Sequence, residues 1–207
     1  MNFPNTLSLL RIVLAPVFAY MFLSDSLTLV ALSVVVFSVA ALTDWYDGWY
    51  ARKYGFKTRW GQFLDPLADK ILTSAALICF YIMDKRQPGF FGTNELVPIG
   101  ILISIIIFRD IALTLARSVS ELRGREFSTS MVSKTKTFLQ MTYIFIVIGA
   151  VAVAAAFKGS TVSVKLTSFL YSDWNYYILL LITFLTVASG VAYIFESGTK
   201  SPVKQTD

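Results

Sequence analysis

The feature that most constrains this chain is a series of long apolar runs, at 7–23, 27–48, 63–83, 97–116, 138–157 and 176–195. Each is close to the roughly 20 residues that a helix needs to cross the hydrocarbon core of a bilayer. Backbone N–H and C=O groups find no water there, so runs this long and apolar suit helices that satisfy their own hydrogen bonds. Composition agrees: of 207 residues, 56% are hydrophobic, 15% aromatic and only 15% charged. The mean hydropathy of +0.64 lies outside the range of soluble globular chains. The expectation is an all-α integral membrane protein of six transmembrane helices, a single domain over 1–207 with little left for a soluble one. The first run follows "NFPNTLS", which has neither a basic leader nor a small-residue cleavage site, so it reads as a retained span rather than a signal peptide. Arg11 is the polar exception within that run and is expected near the membrane interface. The segment 158–175 mixes polar and apolar residues and reads as either a loop or an interfacial helix.

Basic residues between the runs set the orientation. Eleven fall on one side: Arg52, Lys53, Lys57 and Arg59, then Arg117, Arg123, Arg125, Lys134 and Lys136, then Lys200 and Lys204. Four fall on the other, Lys85, Arg86, Lys158 and Lys165. Both termini and the connection after the second run are therefore expected to face the cytoplasm. The net charge of +5 follows from this bias and from attraction to anionic lipid, without a nucleic-acid signature. The single Cys79 lies inside an apolar run and implies neither a disulfide nor a zinc site.

Against that background the stretch 44–70, "DWYDGWYARKYGFKTRWGQFLDPLADK", carries four aspartates, Asp44, Asp47, Asp65 and Asp69. An unpaired carboxylate at membrane depth is costly, so such residues need a reason. Asp44 and Asp47 are three apart and Asp65 and Asp69 four apart, spacings that put each pair on one helix face. Gly48 and Ala51 continue the first row and Gly61 lines up with the second. Such small residues let helices or a ligand approach the backbone. Four gathered carboxylates repel one another and take up protons unless a cation sits among them. All-oxygen donors, in a chain with no histidine, indicate a hard ion, magnesium first and manganese or calcium next. Arg52 is placed to complete a phosphate clamp.

Two other readings compete. The acids are solvated at interfacial helix ends or paired with Arg52, Lys53, Arg59 and Lys70, or they mark the cation pathway of a transporter. The transporter explains the acids but neither the glycines nor Arg52. The interleaved aromatics Trp45, Tyr46, Trp49, Tyr50, Tyr54 and Trp60 are expected to form an interfacial belt.

The pattern Asp44-x2-Asp47-Gly48-x2-Ala51-Arg52-x8-Gly61-x3-Asp65-x3-Asp69 resembles the signature of the CDP-alcohol phosphotransferase family, with every position filled. "NFPNTLSLLRIVLAPVF", "FLDPLADK", "RDIALTLARS", "SKTKTFLQM" and "SGVAYIFESG" are similar to the branch whose acceptor is glycerol 3-phosphate. That branch usually has Arg-Glu-Phe where this chain has Arg109-Asp110-Ile111, and Gly-Lys where it has Ser133-Lys134. The resemblance implies a six-helix, homodimeric bundle in the cell membrane with its site open to the cytoplasm. It also implies transfer of a phosphatidyl group from CDP-diacylglycerol to the primary hydroxyl of glycerol 3-phosphate, releasing CMP, as a step of phospholipid biosynthesis.

On that resemblance Asp44, Asp47, Asp65 and Asp69 hold one or two Mg2+ (or Mn2+) ions, and Asp69 also acts as general base on the acceptor hydroxyl. A chain without histidine leaves that role to a carboxylate. Gly48, Ala51, Arg52 and Gly61 shape the CDP-diacylglycerol pocket. The acceptor's phosphate needs cations of its own, and the candidates are Arg117, Lys134 and Lys136 at the cytoplasmic ends of the fourth and fifth spans, with Arg109 beside them. A structural pair with Asp110 competes for Arg109, and positive-inside topology or lipid headgroups compete for the others. Arg123 and Arg125 are expected to be solvated. Synthesis of cardiolipin, phosphatidylinositol phosphate or phosphatidylserine would use the same aspartates with another acceptor pocket, and the basic residues favour a phosphorylated acceptor.

Overall fold

The computed structural model describes the backbone of residues 3–54, 59–122 and 131–199, and the side chains of 6–43, 46, 64–120, 131 and 133–192. Within these the chain is all-helical: α1 (Phe3–Phe22), α2 (Leu27–Tyr54), α3 (Arg59–Arg86), α4 (Ile99–Leu122), α5 (Met131–Ala156), α6 (Thr161–Leu170) and α7 (Asp173–Thr199). Six of them coincide with the apolar runs. The seventh, α6, resolves the ambiguous segment 158–175 as a helix. Gly159 at φ +84 turns the chain out of α5, and Ser160 caps α6 by accepting the N–H of Ser163 at 3.1 Å. The Ser163 hydroxyl then donates to the Ala154 carbonyl at 2.9 Å, which ties α6 to α5.

Among the described residues four helical segments are long and apolar enough to cross a membrane, Leu64–Arg86, Ile99–Ser120, Ser133–Ala156 and Asp173–Ala192. Two shorter apolar helices, Thr6–Phe22 and Leu27–Thr43, precede them.

The long helices close into a ring: α1 packs on α3, α3 on α4, α4 on α7, α7 on α5, α5 on α2, and α2 back on α1. Successive long helices alternate in direction. The ends of α2, α4 and α7 and the starts of α1, α3 and α5 therefore gather at one end of the bundle. The interior is aromatic, with Phe18, Phe37 and Phe80 wholly buried. The ring centroids of Phe18 and Phe37 are 5.0 Å apart, as are those of Phe37 and Phe145. Ala15, Ala40 and Ala76 let the helix backbones close around them. Lipid tails are as apolar as these side chains, so the packing gains dispersion and fit rather than escape from water. Cys79 lies in this core as a free, buried thiol.

The opposite end of the bundle is capped. Arg86 donates to the Leu23 carbonyl at 2.8 Å, and Phe90 and Phe91 of the α3–α4 connection are buried. The Asp173 carboxylate at the start of α7 accepts from Thr93 N–H at 3.0 Å and from the Asn94 side-chain amide at 2.6 Å. Gly92, at φ +85, passes so close that a Cβ there would sit 2.2 Å from Asp173 Oδ1.

Candidate active site

The acid rows fall on the final turns of α2 and the first turns of α3. Asp44, Asp47, Gly48, Ala51 and Arg52 lie on the final turns of α2, and Gly61 on the first turn of α3. Their side chains are outside the described residues, as are Arg123 and Arg125. Asp65 and Asp69 sit one turn apart on α3, both part-buried. Pro66 between them has no N–H, so the helical ladder loses one bond at this point.

Each described acid has a partner in the protein. The wholly buried Ser8 hydroxyl of α1 donates to Asp65 Oδ1, and the guanidinium of Arg11, one turn further along α1, is near enough to act on Asp65 electrostatically. Arg11 is thus enclosed in the bundle, with no exposed surface. Asp69 Oδ2 pairs with Lys70 Nζ at 3.2 Å. Among the described residues the other oxygen of each carboxylate has no partner, and hard oxygen donors on one helix face suit a divalent ion such as magnesium. Among the described residues, no three His, Cys, Asp or Glu groups come together.

Next to Asp69 opens a cavity of about 250 Å³ between α3, α4 and α5. Lys70, Arg109, Arg117 and Lys134 line it with positive charge, and Asp110 and Ser133 contribute polar oxygens. Arg109 and Arg117 reach the same cavity because they are two helical turns apart on α4. A larger groove of about 870 Å³, between α3 and α4, is walled by Ile78, Ile101, Phe108 and other apolar groups and has no comparable charge.

Lys136 behaves differently from Lys134. It is 1% exposed and its Nζ meets Asp110 Oδ1 at 2.5 Å, behind the cavity rather than in its lining. Two residues along a helix turn a side chain about 200°, which puts the two lysines on opposite faces of α5. Arg109 Nη1 reaches the same oxygen at 3.1 Å, and its Nη2 donates to Ser189 Oγ of α7 at 2.7 Å. The expected Arg109–Asp110 pair is present, and Arg109 still lines the cavity.

The structure thus brings Arg109, Arg117 and Lys134 to one cavity, joins Asp69 to it through Lys70, and sets Lys136 one layer behind. Sequence reasoning missed Lys70 as part of the cavity, Ser8 and Arg11 as partners of Asp65, and Ser189 as a partner of Arg109. The available signal was a polar residue at membrane depth, which calls for a polar neighbour.

Fold and site together define a membrane-integral, all-helical protein with a carboxylate pair beside a cation-lined cavity. The chain belongs to the CDP-alcohol phosphatidyltransferase family, whose model matches residues 1–191. It is similar to the CDP-diacylglycerol–glycerol-3-phosphate 3-phosphatidyltransferase of Bacillus subtilis, 34% identical over 208 residues and covering 95% of each chain. The protein of that name from Rickettsia bellii is 33% identical over 93% of each chain. The one from Escherichia coli is 33% identical over 68% of this chain and 72% of its own.

Proposed function

We infer that the chain transfers the phosphatidyl group of CDP-diacylglycerol to glycerol 3-phosphate, forming phosphatidylglycerophosphate and releasing CMP. The observation that carries the reading is the four-cation cavity joined to Asp69 through Lys70. A phosphorylated alcohol seated there presents its phosphate to the cations and its free hydroxyl to the carboxylate. Asp69 takes the hydroxyl proton as the alcohol oxygen forms a bond to the phosphorus that bears the diacylglycerol, and the bond from that phosphorus to CMP breaks. Arg109, Arg117, Lys134 and Lys70 hold the acceptor's phosphate, while Lys136 acts from behind through Asp110.

Asp44, Asp47, Asp65 and Asp69 are the ligands for one or two Mg2+ or Mn2+ ions, which when bound supply positive charge for the donor's diphosphate. Gly48, Ala51, Arg52 and Gly61 shape the donor pocket. Ser8 and Arg11 hold Asp65 in place from α1. The two shorter apolar helices complete six spans with the four long ones. The basic bias puts the acid end and both termini at the cytoplasmic face of the cell membrane, and the assembly is a homodimer. Inositol phosphate offers the same dianion on a bulkier ring, and the names of the relatives favour the smaller alcohol.

The test is CMP release by the purified protein with CDP-diacylglycerol and magnesium, offering glycerol 3-phosphate, inositol phosphate, serine and phosphatidylglycerol in turn. Release with glycerol 3-phosphate alone supports the reading. Release with a different acceptor reassigns the pocket, and no release with any acceptor, together with metal flux in proteoliposomes, overturns the reading in favour of a transporter.

A further inference from the structure

The segment "SGVAYIFESG" near the end of the chain has no part in the chemistry above, yet its first residue touches a cavity cation. Ser189 is wholly buried on α7, and its Oγ accepts from Arg109 Nη2 at 2.7 Å. A serine hydroxyl has one hydrogen to give, and here it goes to the Thr186 carbonyl at 3.0 Å. The lone pairs of Oγ are thereby turned to Arg109, so the serine works as a fixed acceptor. Gly190 brings the α7 backbone beside the same arginine: a Cβ there would lie 3.6 Å from Arg109 Cγ, ordinary van der Waals contact. The stem of the arginine is flanked by α7 while Ser189 holds its head.

The other edge of the guanidinium is fixed from α4 and α5. Arg109 Nη1 meets Asp110 Oδ1 at 3.1 Å, and Lys136 takes that oxygen at 2.5 Å. Two cations share one carboxylate, so the cluster keeps a surplus positive charge instead of cancelling. A guanidinium has five N–H bonds in one plane. Two go to Ser189 and Asp110, which sets the plane; Nε–H is buried beside Gly190 of α7, and one N–H on each of Nη1 and Nη2 is left for an oxyanion.

The geometry points to Ser189 as a positioning residue: from α7 it fixes the guanidinium plane of Arg109, so that α4, α5 and α7 together present one oriented donor face to the acceptor's phosphate. This rests on the reading of the cavity as the acceptor-phosphate site.

The test compares wild type, Arg117→Ala, Ser189→Ala, Arg109→Ala and the Ser189→Ala/Arg109→Ala double variant, each with glycerol 3-phosphate and CDP-diacylglycerol varied separately. Apparent affinity for glycerol 3-phosphate is taken from KM where turnover persists and from calorimetric Kd otherwise. Ser189→Ala is expected to weaken glycerol 3-phosphate about tenfold while leaving the KM for CDP-diacylglycerol unchanged. In the Arg109→Ala background it should add nothing, because a residue that acts through Arg109 has nothing left to position. Additive effects in the double variant, or an equal rise for both substrates in Ser189→Ala, assign Ser189 to general packing and overturn the proposal. If Arg117→Ala weakens glycerol 3-phosphate and Ser189→Ala does not, the positioning role fails and the acceptor reading stands. If neither does, both fail.

Discussion

At the capped end of the bundle Asn175 is wholly buried and bridges four elements with neutral hydrogen bonds. Its amide donates to the carbonyls of Phe90 at 3.2 Å and Leu170 at 2.9 Å, and its Oδ1 accepts from the Tyr143 hydroxyl at 2.8 Å. At the acid end Asp110 is also buried and bridges helices, but its partners are two cations. Tyr176 repeats the first pattern, accepting from Val97 N–H at 2.8 Å and donating to the Val97 carbonyl at 3.1 Å. Lys70 pairs one-to-one with Asp69 on its own helix and also lines the cavity. Both ends use a buried side chain to join helices, and they differ in what is left over. Neutral partners satisfy one another and close the structure. Ion pairs in unequal number leave charge at the rim of a cavity, and desolvated charge is costly enough that it persists where it does work.

The contrast can be tested from the largest effect to the smallest. Asp69→Asn should lower turnover about 10³-fold, the scale of a lost general base, while magnesium-dependent donor binding stays close to wild type. Asp44→Asn should instead weaken that binding. The reverse pattern, read from donor Kd and single-turnover CMP release, breaks the division of roles. Chelating the divalent ion should stop turnover, and restoring magnesium should recover it.

Lys136→Met leaves Asp110 with one cation in place of two, and should destabilise the detergent-solubilised protein by about 3 kcal/mol, the upper scale for a lost hydrogen bond to a charged group. Thermal unfolding measures it; an unchanged midpoint would mean that the pair is not needed to hold α4 against α5. Asn175→Ala should cost about 2–3 kcal/mol, for three hydrogen bonds at about 1 kcal/mol each, without a selective effect on either substrate. A selective rise in the KM for glycerol 3-phosphate in this variant would erase the distinction between the two ends. The smallest expected effect is that of Arg117→Ala, about a tenfold rise in that KM with the donor's unchanged.

Hydrophobic length made the helices legible in the sequence, but their ends were less so. The run at 138–157 became Met131–Ala156 and that at 97–116 became Ile99–Leu122, because a helical ladder does not stop where hydropathy does. Those polar extra turns carry Arg117 and Lys134, two of the four cavity cations. The acid rows could be read from spacing because both members of each row share one helix. The cation cluster was partly legible for the same reason, Arg109 and Arg117 being in register on α4.

What spacing could not give was the neighbour on another helix. Ser189 meets Arg109 across eighty positions, and Ser8 meets Asp65 across fifty-seven. Lys134 and Lys136 looked equivalent by charge, and only the direction of each face separated one that lines the cavity from one that neutralises Asp110.

On the reading proposed above, the cavity joined to Asp69 through Lys70 holds the acceptor's phosphate. Calorimetric titration of the purified protein with glycerol 3-phosphate, in magnesium and detergent, tests it most directly when wild type is set against a Lys70→Ala/Arg117→Ala variant. The expected result is saturable binding by wild type, at least about tenfold weaker binding by the variant, and none for glycerol in either. Equal binding by the two proteins, or binding of glycerol as tight as that of its phosphate, would contradict it.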